Sequence, residues 1–359
     1  MQFLWQILGT LVVLATLSDI YLTILHPRAE SSLLSLWIAK SVWKTLKIAA
    51  PDGNKTRDRY LSYSGPTIII IILAAWVLLL LIGFALIAWP SLGTAIQANQ
   101  GRTPTDFAAA IYYSGFSLAT LGTGDLTPQT ATWRLLTVLE SILGFSVFTL
   151  TISYVLSIYS NLTSRNTFAL SLHHRTANTA DSTELLARLA ADNSINTLHQ
   201  DISAMAQNLI KLLESKNSYP VLLYFRYHQT YYALPRITYL AIDTATLIKT
   251  ALDQEQYRAV TNSSGTTELW FGGLHLLEEL CQTLIPKIRI PPQEANESQW
   301  RQHYYQALKR LEAEGIKTVS DPDAGADSYV AMRHQWSPYL AKLVKYMDYD
   351  PKHIFPAER

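Results

Sequence analysis

Residues 117–125 read SLATLGTGD, from Ser117 to Asp125. A threonine, a Gly-x-Gly and an aspartate here interrupt two long apolar runs. Upstream, Thr67 to Trp89 contains IIIIILAAWVLLLLIGFALIAW, without a single charge. Downstream, Leu135 to Tyr159 is broken only by Glu140. A third run, Phe3 to Leu25, carries Asp19 as its one ionisable group before the tyrosine at 21. Each run exceeds the roughly 20 residues a helix needs to cross about 30 Å of hydrocarbon. The first lacks a basic leader and is long for a cleaved signal, so a retained span is expected. A polar, glycine-rich stretch between spans must be buried in protein or line a wet cavity, because lipid offers its peptide groups no partner.

The chain has 359 residues, room for two or three domains. Charged residues make up 16 % and hydrophobic residues 49 %; a soluble chain carries about 25 % charged, and the deficit is concentrated in the first 160 positions. A net charge of +1 excludes the global positive field of a nucleic-acid binder. One cysteine, Cys281, excludes an internal disulfide and a multi-thiolate zinc site, and suits a reducing compartment. No fixed-period repeat is evident.

Cations are unevenly shared among the loops. Arg28, Lys40, Lys44, Lys47, Lys55, Arg57 and Arg59 lie between the first two runs, and Arg165 and Arg175 follow the third. Between the second and third, before Arg134, stands Arg102 alone. By the positive-inside rule residues 27–65 and 160–359 are cytoplasmic, and the loop 90–132 and the N-terminus are outside. Within the first cytoplasmic loop, SSLLSLWIAKSVWKTLKIAA reads as an amphipathic helix lying in the interface. Lys40, Lys44 and Lys47 form its basic side, with Leu36 and Leu46 apolar and Trp37 and Trp43 at headgroup depth. The alternative is a helix packed on protein.

The outer loop has a helix start of its own. Thr103 as cap, Pro104 at the first position and Asp106 at the third precede TDFAAAIYYSGFSLA, an apolar helix too short to cross a bilayer. It gives way at Thr120, where glycines let the backbone leave helical geometry. A re-entrant helix followed by Gly-x-Gly points to a pore.

At these residues the chain resembles the pore domain of potassium channels. The family's filter reads Thr-Val-Gly-Tyr-Gly-Asp; Thr120-Leu121-Gly122-Thr123-Gly124-Asp125 stands in its place. YYSGFSLATLGTGDLTPQTATWRLLTVLESILGF is similar to the family's aromatic pair, pore helix, filter, exit and inner helix, including Arg134 and a glycine, Gly144, at the usual hinge place. The resemblance covers roughly residues 66–160. It implies an ion-binding filter at Thr120, Leu121, Gly122, Thr123 and Gly124, with potassium held by the carbonyls of the first four and the Thr120 hydroxyl. Asp125 would ring the outer mouth, and Tyr112, Tyr113 and Glu140 would support the filter. One chain offers one loop, so a homotetramer in the bilayer is implied. No cofactor is implied beyond permeating potassium, with sodium as the alternative ion.

Two departures bear on selectivity. Thr123 replaces the filter tyrosine and is too short to meet Tyr113, and Phe116 replaces the frequent acid behind the filter. Glu140 either braces the filter instead or is a hydrogen-bonded acid tying helices together. Asp19 is read as a packing or snorkelled group. Gly144 is a hinge or a point of close helix packing; Phe148 and Ile152 could line the cavity or gate it. No arginine-rich voltage-sensing span is present.

Residues 161–359 have soluble composition and helical spacing, punctuated by Pro220, Pro235, Pro286, Pro291 and Pro292. Residues 220–252 are apolar enough to suggest a fourth span, but Arg226, His228, Pro235 and Arg236 favour a buried helix pair. There is no Gly-x-Gly-x-x-Gly for a nucleotide, and no triad or phosphate loop for an enzyme. His275, Glu278, Glu279 and Cys281 have metal-ligand spacing but read better as a solvated face; His173-His174 is equally weak.

The expected fold is an all-α membrane protein. It has a first transmembrane helix with an interfacial helix (1–65), a pore domain (66–160) and an all-helical cytoplasmic domain (161–359). The expected function is a tetrameric cation channel in a bacterial inner membrane, conducting potassium passively through a filter of backbone carbonyls, with gating influenced by the cytoplasmic domain. The alternatives are a non-selective cation channel and a non-conducting membrane-anchored sensor or scaffold.

Overall fold

A computed structural model describes residues 2–26, 32–51, 54–191, 194–285 and 297–355. Arg28, Pro286, Pro291 and Pro292, used above for topology and punctuation, lie outside the described residues, as does the side chain of Lys55. The helices in chain order are α1 (Gln2–Ile20), α2 (Leu33–Ala49), α3 (Asn54–Leu61), α4 (Ser64–Ala88), α5 (Phe107–Leu118), α6 (Ala131–Arg175) and α7 (Ser182–Leu189). There follow α8 (Ile195–Ser218), α9 (Leu234–Ala251), α10 (Arg258–Thr261), α11 (Ser264–Leu284), α12 (Glu297–Ala313), α13 (Pro322–Tyr346) and α14 (Pro351–Ile354). Among the described residues the strands are β1 (Ile96–Ala98) and β2 (Leu126–Pro128). Among the described residues three helical stretches are long and apolar enough to cross a membrane: Phe3–Leu25, Thr56–Ser91 and Ala131–Arg175.

The chain divides into two compact units. The first is Met1–Asp52, Tyr63–Ser160 and Asn217–Phe225; the second is Gly53–Ser62, Asn161–Lys216 and Arg226–Arg359. This differs from three consecutive domains in two exchanged segments. Residues 53–62 join the second unit because Arg226, fully buried, donates to the carbonyls of Asp58, Met347 and Asp348 and to the Asp58 carboxylate. Arg57 adds a 2.5 Å pair with Asp348. Residues 217–225 join the first because Val221, Leu222, Leu223, Tyr224 and Phe225 are all buried there.

In the first unit α1 and α4 meet through glycine. A methyl group on Gly9 would fall 2.5 Å from the Gly83 carbonyl oxygen, and one on Gly83 would fall 2.7 Å from Val13. Without a hydrophobic drive inside lipid, such close approach is what holds spans together. The N-terminus of α2 has no cap of its own, since Ser32 makes no side-chain bond there. Asp19 of α1 supplies it, accepting from Leu34 N (3.1 Å), Ser35 N (3.4 Å) and Ser35 Oγ (2.6 Å), and also from the Trp76 indole of α4 (2.9 Å). An acid placed at a helix N-terminus is favoured by the orphan N–H groups and the dipole. Asp19 is thus a buried knot between three helices, the packing role expected of it.

The α2 helix buries Ser35, Ile38, Ala39 and Trp43 and exposes Trp37, Lys40 and Lys44. Trp43 is packed on protein, its ring 6.1 Å from Tyr224. The 217–225 segment also sets Tyr219 6.0 Å from Tyr154 and Phe225 6.1 Å from Tyr159 on α6. Ser64 Oγ donates to the Tyr224 carbonyl at 2.6 Å, and Gly65 leaves room for the Phe225 ring.

The second unit is built around α9. Every residue of α9 except Lys249 is buried, which is why the stretch suggested a span. Its buried Thr238, Thr246 and Thr250 satisfy their hydroxyls on carbonyls one turn back. At its centre Asp243 accepts from Ser182 and from the Tyr329 hydroxyl (2.8 Å), with His303 at 3.6 Å. Arg333 donates to that same Tyr329 oxygen at 3.1 Å and lies 4.0 Å from the carboxylate. Trp336, Trp300 and Tyr329 surround the guanidinium at 4.7, 5.1 and 5.6 Å.

Burial alone would raise the Asp243 pKa, but the charge of Arg333, the neighbouring His303 and the hydrogen bond from Ser182 hold it well below the ordinary carboxylate range. A folded value below the unfolded one means this stabilisation is complete above about pH 4 and is lost as pH falls from there. Acid should therefore unfold the second unit before lipid-facing helices are disturbed. Asp243→Asn should cost about 3–5 kcal/mol, because it removes the buried charge on which Ser182, Tyr329 and Arg333 converge. Thermal melts and limited proteolysis of the full-length protein would read this; a wild-type melt in the variant would contradict it.

Candidate functional site

The stretch between α4 and α6 forms one small assembly. β1 and β2 pair antiparallel, with Ile96 opposite Pro128, Gln97 opposite Thr127 and Ala98 opposite Leu126. Ile96 and Leu126 sink into an apolar cluster with Ala85, Ala88, Ala110, Tyr113 and Phe116. The cluster seats α5 against α4.

The start of α5 is corrected by the structure. Asp106, not Thr103, is the cap: its Oδ1 accepts from Ala109 N at 2.8 Å. Thr103 is occupied elsewhere, its hydroxyl accepting from Ala98 N at 3.0 Å. Both residues are good caps, and the ribbon takes one of them.

The end of α5 decides the loop. Thr120 N donates to Ser117 O at 3.1 Å and Leu121 N to Phe116 O at 2.8 Å. This paired bonding closes a helix when the next residue turns left-handed. Glycine usually takes that place; here it is Thr120, with φ +57°. A β-branched residue there is strained, by about 1–3 kcal/mol, and such strain clusters at working sites. Gly122 (φ +61°) and Gly124 (φ +75°) follow, while Leu121 and Thr123 are not left-handed. The sign of φ therefore alternates at every residue from 120 to 124. At Gly122 the glycine is required by conformation, not space, since a methyl group would meet nothing within 4 Å. The loop is open on one side, and Leu121 is 71 % exposed.

Thr123 donates to Asp125 Oδ1 at 2.8 Å. That bond, and a further one from the Tyr112 hydroxyl, hold the Asp125 carboxylate below its ordinary range. Tyr112 thus meets the mouth of the loop directly. Tyr113 does not: its hydroxyl lies 2.5 Å from Thr137 Oγ1. Thr137 spends its own hydrogen on Trp133 O, so Tyr113 is the donor. Tyr113, which Thr123 is too short to meet, instead ties α5 to α6. Glu140 is buried with its carboxyl beside Ser114 of α5.

Gly144 lies where α6 crosses the end of α5. A methyl group there would collide with the Leu118 carbonyl oxygen, and one turn away Ser141 Oγ donates to Ser117 O at 2.9 Å. The glycine permits close packing, and α6 runs unbroken through it. Phe148 and Ile152 stand on the exposed side of α6, 63 % and 46 % exposed. Arg134 donates to Pro128 O at 3.2 Å, closing the exit of the loop. Asn99, which no local pattern singled out, donates its side-chain amide to the Gly124 carbonyl.

The other sequence candidates do not gather. Cys281 is buried while His275 is exposed and bonded to Glu279 at 3.1 Å, and Lys216 neutralises Glu279 at 3.0 Å. His173 stacks on Tyr231 at 4.5 Å. Among the described residues no group of three or more metal-ligating side chains is assembled.

Residues 67–161 match the ion channel family. The uncharacterized membrane protein YdjJ of Bacillus subtilis (strain 168) is 27 % identical over 257 residues, 70 % of this chain and 71 % of its own length. No solved structure matches. The chain is an all-α membrane protein, and the part that matches the ion channel family runs from the second apolar helix through the loop to the third.

Gly144→Ala should destabilise the protein by about 1–3 kcal/mol through overpacking against Leu118. Melting of the detergent-solubilised protein would show it; a role confined to hinge bending would leave the melting temperature where it was.

Proposed function

We propose that this protein is a tetrameric cation channel that conducts potassium passively. The reading is carried by one observation: α5 delivers a loop of alternating hand, open on one side, at Thr120–Gly124. Carbonyls turned one way can replace the water shell of a cation. Thr120, Leu121, Gly122 and Thr123 supply the oxygens, and Asp125 adds negative charge at the mouth. The carbonyl end of α5 favours a cation below them.

One chain provides one wall, and a closed ring needs four. The exposed apolar residues of α6, among them Leu135, Val138, Ile142 and Phe145, support this. They suit a face covered by lipid and by further copies. Phe148 and Ile152 line the cavity and serve as the gate, and the second unit is the cytoplasmic element that biases it. The uneven sharing of cations among the loops supports that unit being inside and residues 90–132 outside.

A non-selective channel is the second reading, favoured by Thr123 and by the commitment of Tyr113 to Thr137. Selectivity depends on how firmly ligand number and width are held, and the aromatic strut is missing.

Current through purified protein in bilayers, with potassium and sodium on opposite sides, is the test. A reversal potential far toward the potassium equilibrium value supports the first reading and one near zero the second. Silence from an assembled tetramer would leave a scaffold. Impermeant cysteine reagents should label position 100 from outside and positions 50 and 300 only from inside; outside labelling of 300 would sink the orientation.

A further inference from the structure

The residue after β1 is Asn99, and it grips the outer end of the loop three times. Its backbone N–H donates to Asp125 O at 2.9 Å, and its side-chain N–H donates to Gly124 O. Its Oδ1 accepts from Thr127 Oγ1 at 2.9 Å. The orientation of the amide is dictated from behind. Gln129 Nε2 donates to Thr127 Oγ1 at 3.0 Å, so the Thr127 hydrogen is free to go to Asn99 Oδ1. Asn99 is then left with its nitrogen toward Gly124. Gln129 is anchored in turn by its own N–H on Ala95 O at 2.8 Å. The base of this relay is rigid, because Ile96 and Leu126 of the paired strands are buried in the cluster beneath α5.

We propose that Asn99 is a filter-positioning residue: it holds the Gly124 carbonyl turned aside, toward the ribbon, and so fixes the outer end of the ion path. The proposal rests on the reading of residues 120–123 as a cation filter. A glycine peptide turns easily, and Gly124 with φ +75° has no side chain to restrain it. Released, its carbonyl can swing into the path and add a ligand there. Ligand number and stiffness are what discriminate potassium from sodium. Asn99 thereby supplies from the ribbon the restraint that an aromatic at position 123 would supply from α5. Gly124 contributes its turn to the filter and gives its oxygen to Asn99.

The test uses full-length protein in bilayers under potassium and sodium gradients. Asn99→Leu keeps the shape and the backbone bond but removes the amide. Thr127→Val leaves Asn99 in place but removes the hydroxyl that orients it. The potassium-to-sodium permeability ratio should fall about tenfold in the first and about threefold in the second. Asn99→Gln, which retains an amide, should recover part of the loss. Tetramer yield should stay at the wild-type level, separating positioning from a folding defect. If Asn99→Leu does not assemble, Thr127→Val carries the comparison alone. Wild-type ratios in the assembled variants would overturn the proposal and leave the channel reading standing. A wild-type ratio near one would also overturn it, since there would be no discrimination to hold. Absence of wild-type current would overturn the channel reading and this proposal with it.

Discussion

The bonds that close α5 are the ones on which the membrane unit turns. Once a chain leaves helical geometry among apolar neighbours, each peptide group must find a partner or face water. Thr120 and Leu121 return their N–H groups to Ser117 and Phe116. The helix ends with its donors satisfied and the chain sharply redirected. The strain at Thr120 persists because its surroundings over-determine it: the apolar cluster fixes α5, α6 presses on Leu118, and the ribbon receives the chain after Asp125. Loosening any of these would let the helix continue or fray, and the alternation that follows would have no fixed origin.

Polar groups inside the two units serve different ends. In the first, Asp19 and Ser141 tie one helix to the backbone of another, and Tyr113 bonds Thr137. Each is a cross-helix bond where hydrophobic drive is weak. In the second, Asp243 and Arg333 sit in a water-soluble type of core, boxed by aromatic rings and satisfied by hydroxyls. A buried pair of this kind is poor evidence for stability but strong evidence against substitution of one partner.

The three spans were legible because length and apolarity suffice to define a membrane helix, and the loop because glycine spacing is a conformational statement. The start of α5 was ambiguous for a physical reason: Thr103 and Asp106 are both competent caps, and the choice was made by Ala98 from another element. The strands are three residues each, too short for an alternating pattern to register. Tyr113 and Thr137 are 24 residues apart, and nothing local pairs them. That residues 53–62 and 217–225 pack with units other than those of their chain neighbours was not legible, because composition reports polarity, not neighbours. An apolar VLLYF between soluble helices reads as the core of its own domain.

The placement of Asn217–Phe225 changes what counts as a separable part of this molecule. Its rings cover Trp43, Tyr154 and Tyr159, and its backbone takes the hydroxyl of Ser64, so a wall of the membrane unit is encoded well beyond Ser160, where that unit's preceding segment ends. A cut after Ser160 does not free a minimal pore. It opens a breach lined with aromatic rings at the foot of the inner helix. Modularity here follows the path of packing, and the gene's linear order is no guide to where one piece stops.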